Sequence, residues 1–257
     1  MFSIERKALI INQLEERGVV TVAQLAEMLA ISKETIRRDL RELERDGMIK
    51  RTHGGAVLEI PENAAAEYPL KFREIKHHVE KKRLCVEAAK YIENGDTIFI
   101  DNSSTTVNLL GNINPSYQVT VVTNSIQLLM ESAWLGNPNL TMISLGGVFR
   151  AKNYSLTGGL AAEWARTFRP DKSFISCRSI NAEIGLSDGS IHELDTKRAL
   201  IESTRKLYVL ADHSKFLENG SFFFCDLSKV HMIITDNQVD EESVRQLRSK
   251  NVNLLII

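Results

Sequence analysis

The sequence predicts an α/β protein in two parts, a helical N-terminal unit closed by a β-hairpin and a larger C-terminal unit on a mostly parallel sheet. Three observations carry this. Apolar residues recur at helical spacing between Ile4 and Leu43. Two adjacent glycines, Gly54 and Gly55, follow between short runs of strand-like character. From Asp96 onward, near-continuous apolar runs alternate with helical stretches, as βαβ units covered on both faces require.

Composition sets the outer limits. The chain has 257 residues, enough for one large domain or two ordinary ones, with 43% hydrophobic and 25% charged residues, as in globular proteins. Lys+Arg at 32 against Asp+Glu at 33 gives a net charge of -1, which excludes a uniformly basic nucleic-acid binder and leaves room for a local basic face. No run approaches the ~18–20 apolar residues of a membrane span. The start, with charge at Glu5, Arg6 and Lys7, lacks the apolar core and cleavage site of a signal peptide. Cys85, Cys177 and Cys225 are widely spaced and are expected to be reduced, packed thiols of a cytoplasmic protein.

In the first unit, Ile4, Ala8, Ile11 and Leu14 share one helical face, and Gly18 ends that helix. Thr21 is placed to cap a second helix, with Gln24 completing a capping box and Val22, Leu25, Ala26 and Leu29 inward. After a turn at Ala30-Ile31, Ser32 caps a third helix with Ile36, Leu40 and Leu43 inward, and Gly47 ends it. Met48–Thr52 can then pair with Ala56–Leu58 across His53-Gly54-Gly55, where the glycines are expected to supply positive φ angles. These elements define a first domain at residues 1–58. Pro61, the Asn63-Ala64-Ala65-Ala66 stretch and Tyr68-Pro69 mark residues 59–75 as a linker.

The second domain is placed at residues 76–257. A helical pattern from Lys71 to Glu93 offers Val79, Leu84, Ala88, Ala89 and Ile92 for burial. The strand candidates are Thr97–Ile100, Val119–Val122, Leu140–Leu145, Ser173–Cys177, Lys206–Ala211, Val230–Thr235 and Val252–Ile257. Helical stretches at Thr105–Leu110, Ile126–Trp134, Leu160–Phe168, Leu194–Thr204 and Glu241–Lys250 lie between most of them.

Two sets of residues carry chemistry. On or beside the solvent side of the third helix stand Ser32, Lys33, Thr35, Arg37, Arg38 and Arg41, and the hairpin adds Lys50, Arg51, His53 and Gly54. Charge alone is weak support, because Glu34, Asp39, Glu42, Glu44 and Asp46 dilute it. The order is stronger: a capped helix, a tight turn, a basic helix and a basic Gly-Gly hairpin make a winged helix-turn-helix, whose third helix fits the ~12 Å major groove of double-stranded DNA. The second set lies where strands of an open α/β sheet end, the usual place for a ligand crevice. Asp101, Asn102, Ser103, Ser104, Thr105 and Thr106 follow the first strand and read either as a phosphate cradle at a helix start or as an ordinary Ser/Thr cap. Asn124, Gly146, Gly147 and Lys215 recur at later strand ends.

Thr35-Ile36-Arg37-Arg38-Asp39-Leu40 with Leu43, Gly47, Arg51 and His53-Gly54-Gly55-Ala56 resembles the helix-turn-helix signature of the DeoR family of bacterial transcriptional regulators. Asp101 with Ser104-Thr105-Thr106, Val122–Ser125, Leu145-Gly146-Gly147, Glu193 with Lys197-Arg198, and Asp212–Phe216 resemble that family's effector domain in the same order. The resemblance implies a fold similar to the sugar-phosphate isomerases, operator contacts led by Thr35, Arg37 and Arg38, an Asp39 that orients an arginine, and a phosphorylated sugar or related anionic metabolite as effector. Two departures stand out: Ser103 where relatives commonly have Gly, and Ser176-Cys177-Arg178-Ser179-Ile180 where many read Gly-x-Asp-Gly. Arg178 thus enters the effector set as a cation where an acid is expected: either the effector differs, carrying a second anionic group that Arg178 meets, or ligand binding is altered.

The expected function is a DNA-binding regulator, a repressor acting as a homo-oligomer, with no cofactor. The alternative is an isomerase with an accessory DNA-binding domain, in which Glu193 is the base and Lys197 or Lys215 the cation. Against catalysis, Glu193 and Lys197 lie four residues apart and read as a surface i,i+4 pair or a sugar-hydroxyl contact. The six histidines form no spaced ligand set, so no metal is expected. Phe222-Phe223-Phe224 and the sheet edge are candidates for an oligomer interface, with burial the competing reading of the aromatics.

Overall fold

A computed structural model describes residues 3–58, 70–217 and 220–257. The chain separates into two compact units, 1–78 and 79–257. Most of the segment expected to be a linker, including Pro61, Asn63–Ala66 and Tyr68-Pro69, lies outside the described residues.

The first unit comprises α1 (Ser3–Arg17), β1 (Val19–Thr21), α2 (Val22–Met28), α3 (Lys33–Arg45), β2 (Ile49–Arg51), β3 (Gly55–Leu58) and α4 (Leu70–Ile75). Thr21 caps α2 with a complete capping box to Gln24, and the Ser32 hydroxyl accepts from Thr35 N at 3.2 Å to cap α3. Both caps were legible in the sequence. Ile10, Ile11, Leu14, Leu25, Ile36, Leu40 and Leu43 are buried in one core, each burial contributing ~1.5–3 kcal/mol. The hairpin pairs Lys50 with Val57 and Arg51 with Ala56, and β1 adds to its far side to give the order β1-β3-β2. Leu70–Ile75, within the expected linker, are helical, and Phe72 and Ile75 join this core.

The hairpin glycines depart from expectation. Positive φ occurs at Gly18 and Gly47, and neither Gly54 nor Gly55 has it. Gly55 instead pairs with Thr21, and a Cβ there would lie 1.8 Å from the Val20 carbonyl oxygen. Close approach of β1, rather than turn geometry, requires glycine.

The second unit runs α5 (His78–Ala89), β4 (Thr97–Ile100), β5 (Val119–Thr123), α6 (Ile126–Leu135), β6 (Leu140–Ser144), β7 (Val148–Arg150), β8 (Ser155–Thr157), α7 (Gly159–Thr167), β9 (Lys172–Ile175), β10 (Ser179–Asn181), β11 (Gly185–Asp188), α8 (Leu194–Ser203), β12 (Lys206–Leu210), β13 (Phe222–Cys225), β14 (Met232–Thr235), α9 (Glu241–Ser249) and β15 (Leu254–Ile256). Among the described residues a seven-stranded sheet has the order β15-β14-β12-β9-β4-β5-β6, with every pairing parallel. Strand alternation divides the core. Ile98, Ile100, Val121, Phe174 and Tyr208 face α5 and α6, while Phe99, Val122, Ile175 and Val209 face α7, α8 and α9.

Two local readings are corrected and two features are added. Val79 is exposed rather than buried. The helix expected at Thr105–Leu110 is a 3-10 helix, Thr106–Asn112, because side chains take its backbone partners: the Asn108 amide donates to Thr105 O at 3.2 Å. Phe222–Phe224 form part of β13 in a three-stranded antiparallel sheet, β10-β11-β13, with Phe224 buried and Phe223 exposed. The hairpin of β7 and β8 has no counterpart in the periodicity reading.

Candidate functional site

The first site is the solvent face of α3 and its wing. Lys33, Arg37, Arg38, Arg41, Lys50, Arg51, His53 and Gly54 are exposed, and Thr35 is half-buried beside its cap partner Ser32. Glu34 joins two of these cations, accepting from Arg41 Nη2 at 2.8 Å and from Arg37 Nη1 at 3.4 Å. Glu44 holds Arg51 through its backbone N at 3.0 Å and its guanidinium at 3.5 Å. The side chains of Arg38, Lys33, Lys50 and His53 make no hydrogen bond or ion pair with other described residues. Lys33, Arg37, Arg51, His53, Gly54 and Gly55 line a cleft between helix and wing.

Asp39 does orient an arginine, and that arginine is Arg6 of α1. Both are buried, at 6% and 1% exposure, and the guanidinium meets the carboxylate through two bonds, Nη2 to Oδ1 at 2.8 Å and Nε to Oδ2. The Asp39 hydrogen bond raises the Arg6 pKa against the opposing effect of burial. Sequence reasoning missed Arg6, although it sits four residues before Ile10 and eight before Leu14, on the buried stripe.

The second site lies at the carboxyl ends of β4, β5, β9 and β12. Asp101, fully buried, organises it. Its Oδ1 accepts from Thr106 Oγ1 at 2.6 Å and from Ser103 N at 3.2 Å; its Oδ2 accepts from Ser176 N at 3.2 Å and faces Lys197 Nζ at 3.3 Å. Lys197 completes its shell by donating to Asp188 Oδ2 at 2.6 Å and Ser176 O at 2.9 Å, with its ammonium 5.1 Å from the Phe224 ring centroid. Burial alone would lower the Lys197 pKa, but Asp188 and Asp101 outweigh it and hold the ammonium charged, above the ordinary lysine value.

Glu193 and Lys197 therefore do not form a surface pair. Both are buried, at 4% and 5% exposure, and Glu193 turns to different partners. Its Oε1 accepts from Arg150 Nη1 at 2.7 Å and Ser155 Oγ at 2.8 Å, with the Asn153 amide at 3.5 Å, whereas the buried Oε2 accepts from no donor. Burial pushes the Glu193 pKa up, partly offset by the Ser155 hydroxyl, Lys197 and Arg150. The β7–β8 hairpin supplies Arg150, Asn153 and Ser155, and no sequence pattern announced them.

Other expected groups fall around this centre. Ser104 accepts from Lys81 Nζ of α5 at 3.2 Å, both buried, and the Asn124 amide donates to Asn102 Oδ1 at 3.3 Å. Lys81 was missed, though it precedes Cys85 by one turn on the buried face of α5. Thr105 is buried and its carbonyl accepts from the Cys85 thiol. Gly146 opens onto space, but a Cβ on Gly147 would lie 2.6 Å from Thr157 O, so that glycine serves close packing of β8. Arg178 is half-buried, with its backbone N donating to Ser187 O at 2.9 Å. Lys215 is half-buried in a 3-10 turn, near enough to the Cys177 thiol to oppose the burial that pushes it up to about 12.

Comparison with known proteins adds the following. Residues 6–61 match the DeoR-like helix-turn-helix domain and residues 76–237 the DeoR C terminal sensor domain. YulB of Bacillus subtilis, an uncharacterized HTH-type transcriptional regulator, is 33% identical over 257 residues, spanning 100% of this chain and 98% of its own. The glycerol-3-phosphate regulon repressor of Escherichia coli is 30% identical over 227 residues, spanning 88% of each chain. Ribose 5-phosphate isomerase A of Methanocaldococcus jannaschii superposes with a TM-score of 0.40 at 15% identity over 53% of each chain. No described helix is long and apolar enough to cross a membrane.

Proposed function

The chain belongs to the DeoR family of HTH-type transcriptional regulators, and from that membership we propose a cytoplasmic repressor of a carbohydrate-utilisation operon, controlled by a phosphorylated sugar or related anionic metabolite. The observation that supports operator binding is the set of exposed cations on α3 and the wing, carried on a frame whose own charges are paired inward. Arg38 and Thr35 reach base edges from the exposed side of the helix, and Lys50, Arg51 and His53 meet phosphate from the wing. A single winged helix covers one half-site, so the working species is a homo-oligomer on paired sites.

In the crevice, Asp101, Thr106 and Lys197 spend their polar atoms on one another and serve as frame. Lys81, Ser104, Thr105, Lys215 and Arg178 surround the place for the anionic group, and Glu193 with Asn124 faces the rest of the ligand. The relative named as a glycerol-3-phosphate regulon repressor is consistent with a phosphorylated effector. The action is binding without turnover, so incubation with pentose and hexose phosphates is expected to return no isomer.

Control is linkage: an effector that prefers the DNA-incompetent arrangement by ~1–3 kcal/mol weakens operator affinity about 5- to 150-fold. The test is thermal shift of the purified chain against phosphosugars, with each stabilising compound added to a gel-shift assay on DNA from upstream of its own gene. Stabilisation together with release of DNA is the expected result. No stabilisation across a broad panel would remove the effector reading, and failure to bind duplex DNA at low salt would remove the operator reading.

A further inference from the structure

Two buried acceptors in the crevice have no donor: Asn124 Oδ1 and Glu193 Oε2. Their residues are 2% and 4% exposed. One short stretch of backbone brings them to the same end of the sheet. Asn124 O accepts from Leu156 N at 2.8 Å, Ser125 bridges Ser155, and Ser155 Oγ donates to Glu193 Oε1 at 2.8 Å.

A buried acceptor left unpaired is costly, and a buried carboxylate oxygen more so. Neither atom is needed to hold the frame, since Glu193 is already fixed through Oε1 and Asn124 through its amide on Asn102. Two fixed, unpaired acceptors at one end of the sheet are placed to take donors from a bound ligand. Phosphate does not fit, because it offers further negative charge to Glu193. A ligand cation is not called for, because Arg150 already sits 2.7 Å from this carboxylate. A neutral O–H satisfies both a carboxylate and an amide oxygen.

Resting on the effector reading above, we propose that Glu193 and Asn124 form the subsite for the hydroxyl-bearing end of the ligand, each accepting one ligand O–H. The effector is then a phosphorylated polyol or sugar whose end remote from phosphate carries free hydroxyls and no carboxylate. Arg150 and Ser155 are positioning residues: by donating to Oε1 they leave Oε2 as the oxygen turned to the ligand.

Calorimetric titration of the full chain tests this with four kinds of probe: sugar and polyol phosphates of three to six carbons, their deoxy analogues, the matching phosphorylated aldonic acids, and inorganic phosphate. In the unmutated protein, the best-bound sugar phosphate is expected to exceed its deoxy analogue by about 10- to 100-fold, the worth of a hydrogen bond to a charged group. The aldonic acid is expected to bind no better than inorganic phosphate. Glu193→Gln keeps its oxygen on Arg150 and Ser155 and turns an NH2 donor where Oε2 stood. It should lose that 10- to 100-fold for the sugar while binding inorganic phosphate at least as well. Arg150→Gln should shrink the sugar-to-deoxy ratio with inorganic phosphate unaffected, and Arg150→Lys should restore part of it.

Equal affinity of sugar and deoxy analogue in the unmutated chain overturns the subsite while leaving the effector reading in place, and this arm needs no variant to fold. Tight binding of the aldonic acid overturns it too. If no phosphorylated probe binds at all, both readings fall.

Discussion

Arg38 and Lys197 are both cations carried on helices, yet the two units use them in opposite ways. The Arg38 side chain stands in water on α3 and makes no ion pair or hydrogen bond with another described residue. Lys197, 5% exposed on α8, spends its donors on Asp188, Ser176 and Asp101. The N-terminal unit buries one charge pair, Arg6 with Asp39, and keeps its other ion pairs, such as Arg41 with Glu34 and Arg51 with Glu44, toward the solvent beside Arg38. The C-terminal unit pairs the charges at its strand ends internally, Lys197 with Asp101 and Asp188 and Arg150 with Glu193, and leaves two buried oxygens there without a donor. A receptor for a polyanion needs free cations; a pocket that tells one small polyol phosphate from another needs fixed acceptors in defined places.

The contrast breaks first at Lys197. Lys197→Met removes the cation from buried Asp101 and half-buried Asp188, and is expected to cost ~3–5 kcal/mol in chemical denaturation. A loss under 1 kcal/mol would show that the crevice does not depend on this pair. Next come two arginines of the same winged helix. Arg6→Ala leaves Asp39 buried and unpaired, and should lower stability by ~3 kcal/mol, with DNA affinity following the fraction folded. Arg38→Ala should leave the melting temperature unchanged while operator affinity falls ~10- to 100-fold, a loss of ~1–3 kcal/mol. If Arg38→Ala bound operator as the unmutated chain does, the groove assignment would be lost.

The smallest effect is a pH slope. Burial holds the Glu193 pKa above its ordinary value of 4.5, so folding disfavours its charged form. The unmutated chain should therefore gain stability relative to Glu193→Gln as pH falls from above the raised value toward 4.5, and the difference should level off below it. Parallel stability profiles for the two proteins would show that burial imposes no penalty on this carboxylate.

Much of the scaffold was readable because it obeys local periodicity. The seven apolar runs became the seven strands of the parallel sheet, with shifts at their ends of a few residues. Thr21, Ser32 and Gly18 sit where capping chemistry puts them. The unreadable part has one cause in several guises: partners far apart along the chain. Arg6 and Asp39 are 33 positions apart, Lys81 and Ser104 are 23 apart, and Arg150 and Glu193 are 43 apart. The spacing of Glu193 and Lys197 suggested a surface pair, and only the packing of α8 against the sheet sends each to other partners. Strands β7, β8 and β10 are only three residues long, too short for alternation to show. Residue types at the strand ends did point to the crevice, because Asp, Asn, Ser and Thr recur there after apolar strands, although Ser125 and Asp212 also serve as caps.

Gly55 has a consequence for recognition. With hydrogen in place of a side chain, the hairpin lies flat on β1, and Gly54 O takes Val22 N at 2.8 Å where α2 begins. The tip carrying His53 is thereby tied to the scaffold that carries α3. In the proposed operator complex, the span between helix and tip acts as a rigid caliper across the double helix. Operators whose local groove width departs from that gauge are penalised at base pairs that no side chain touches.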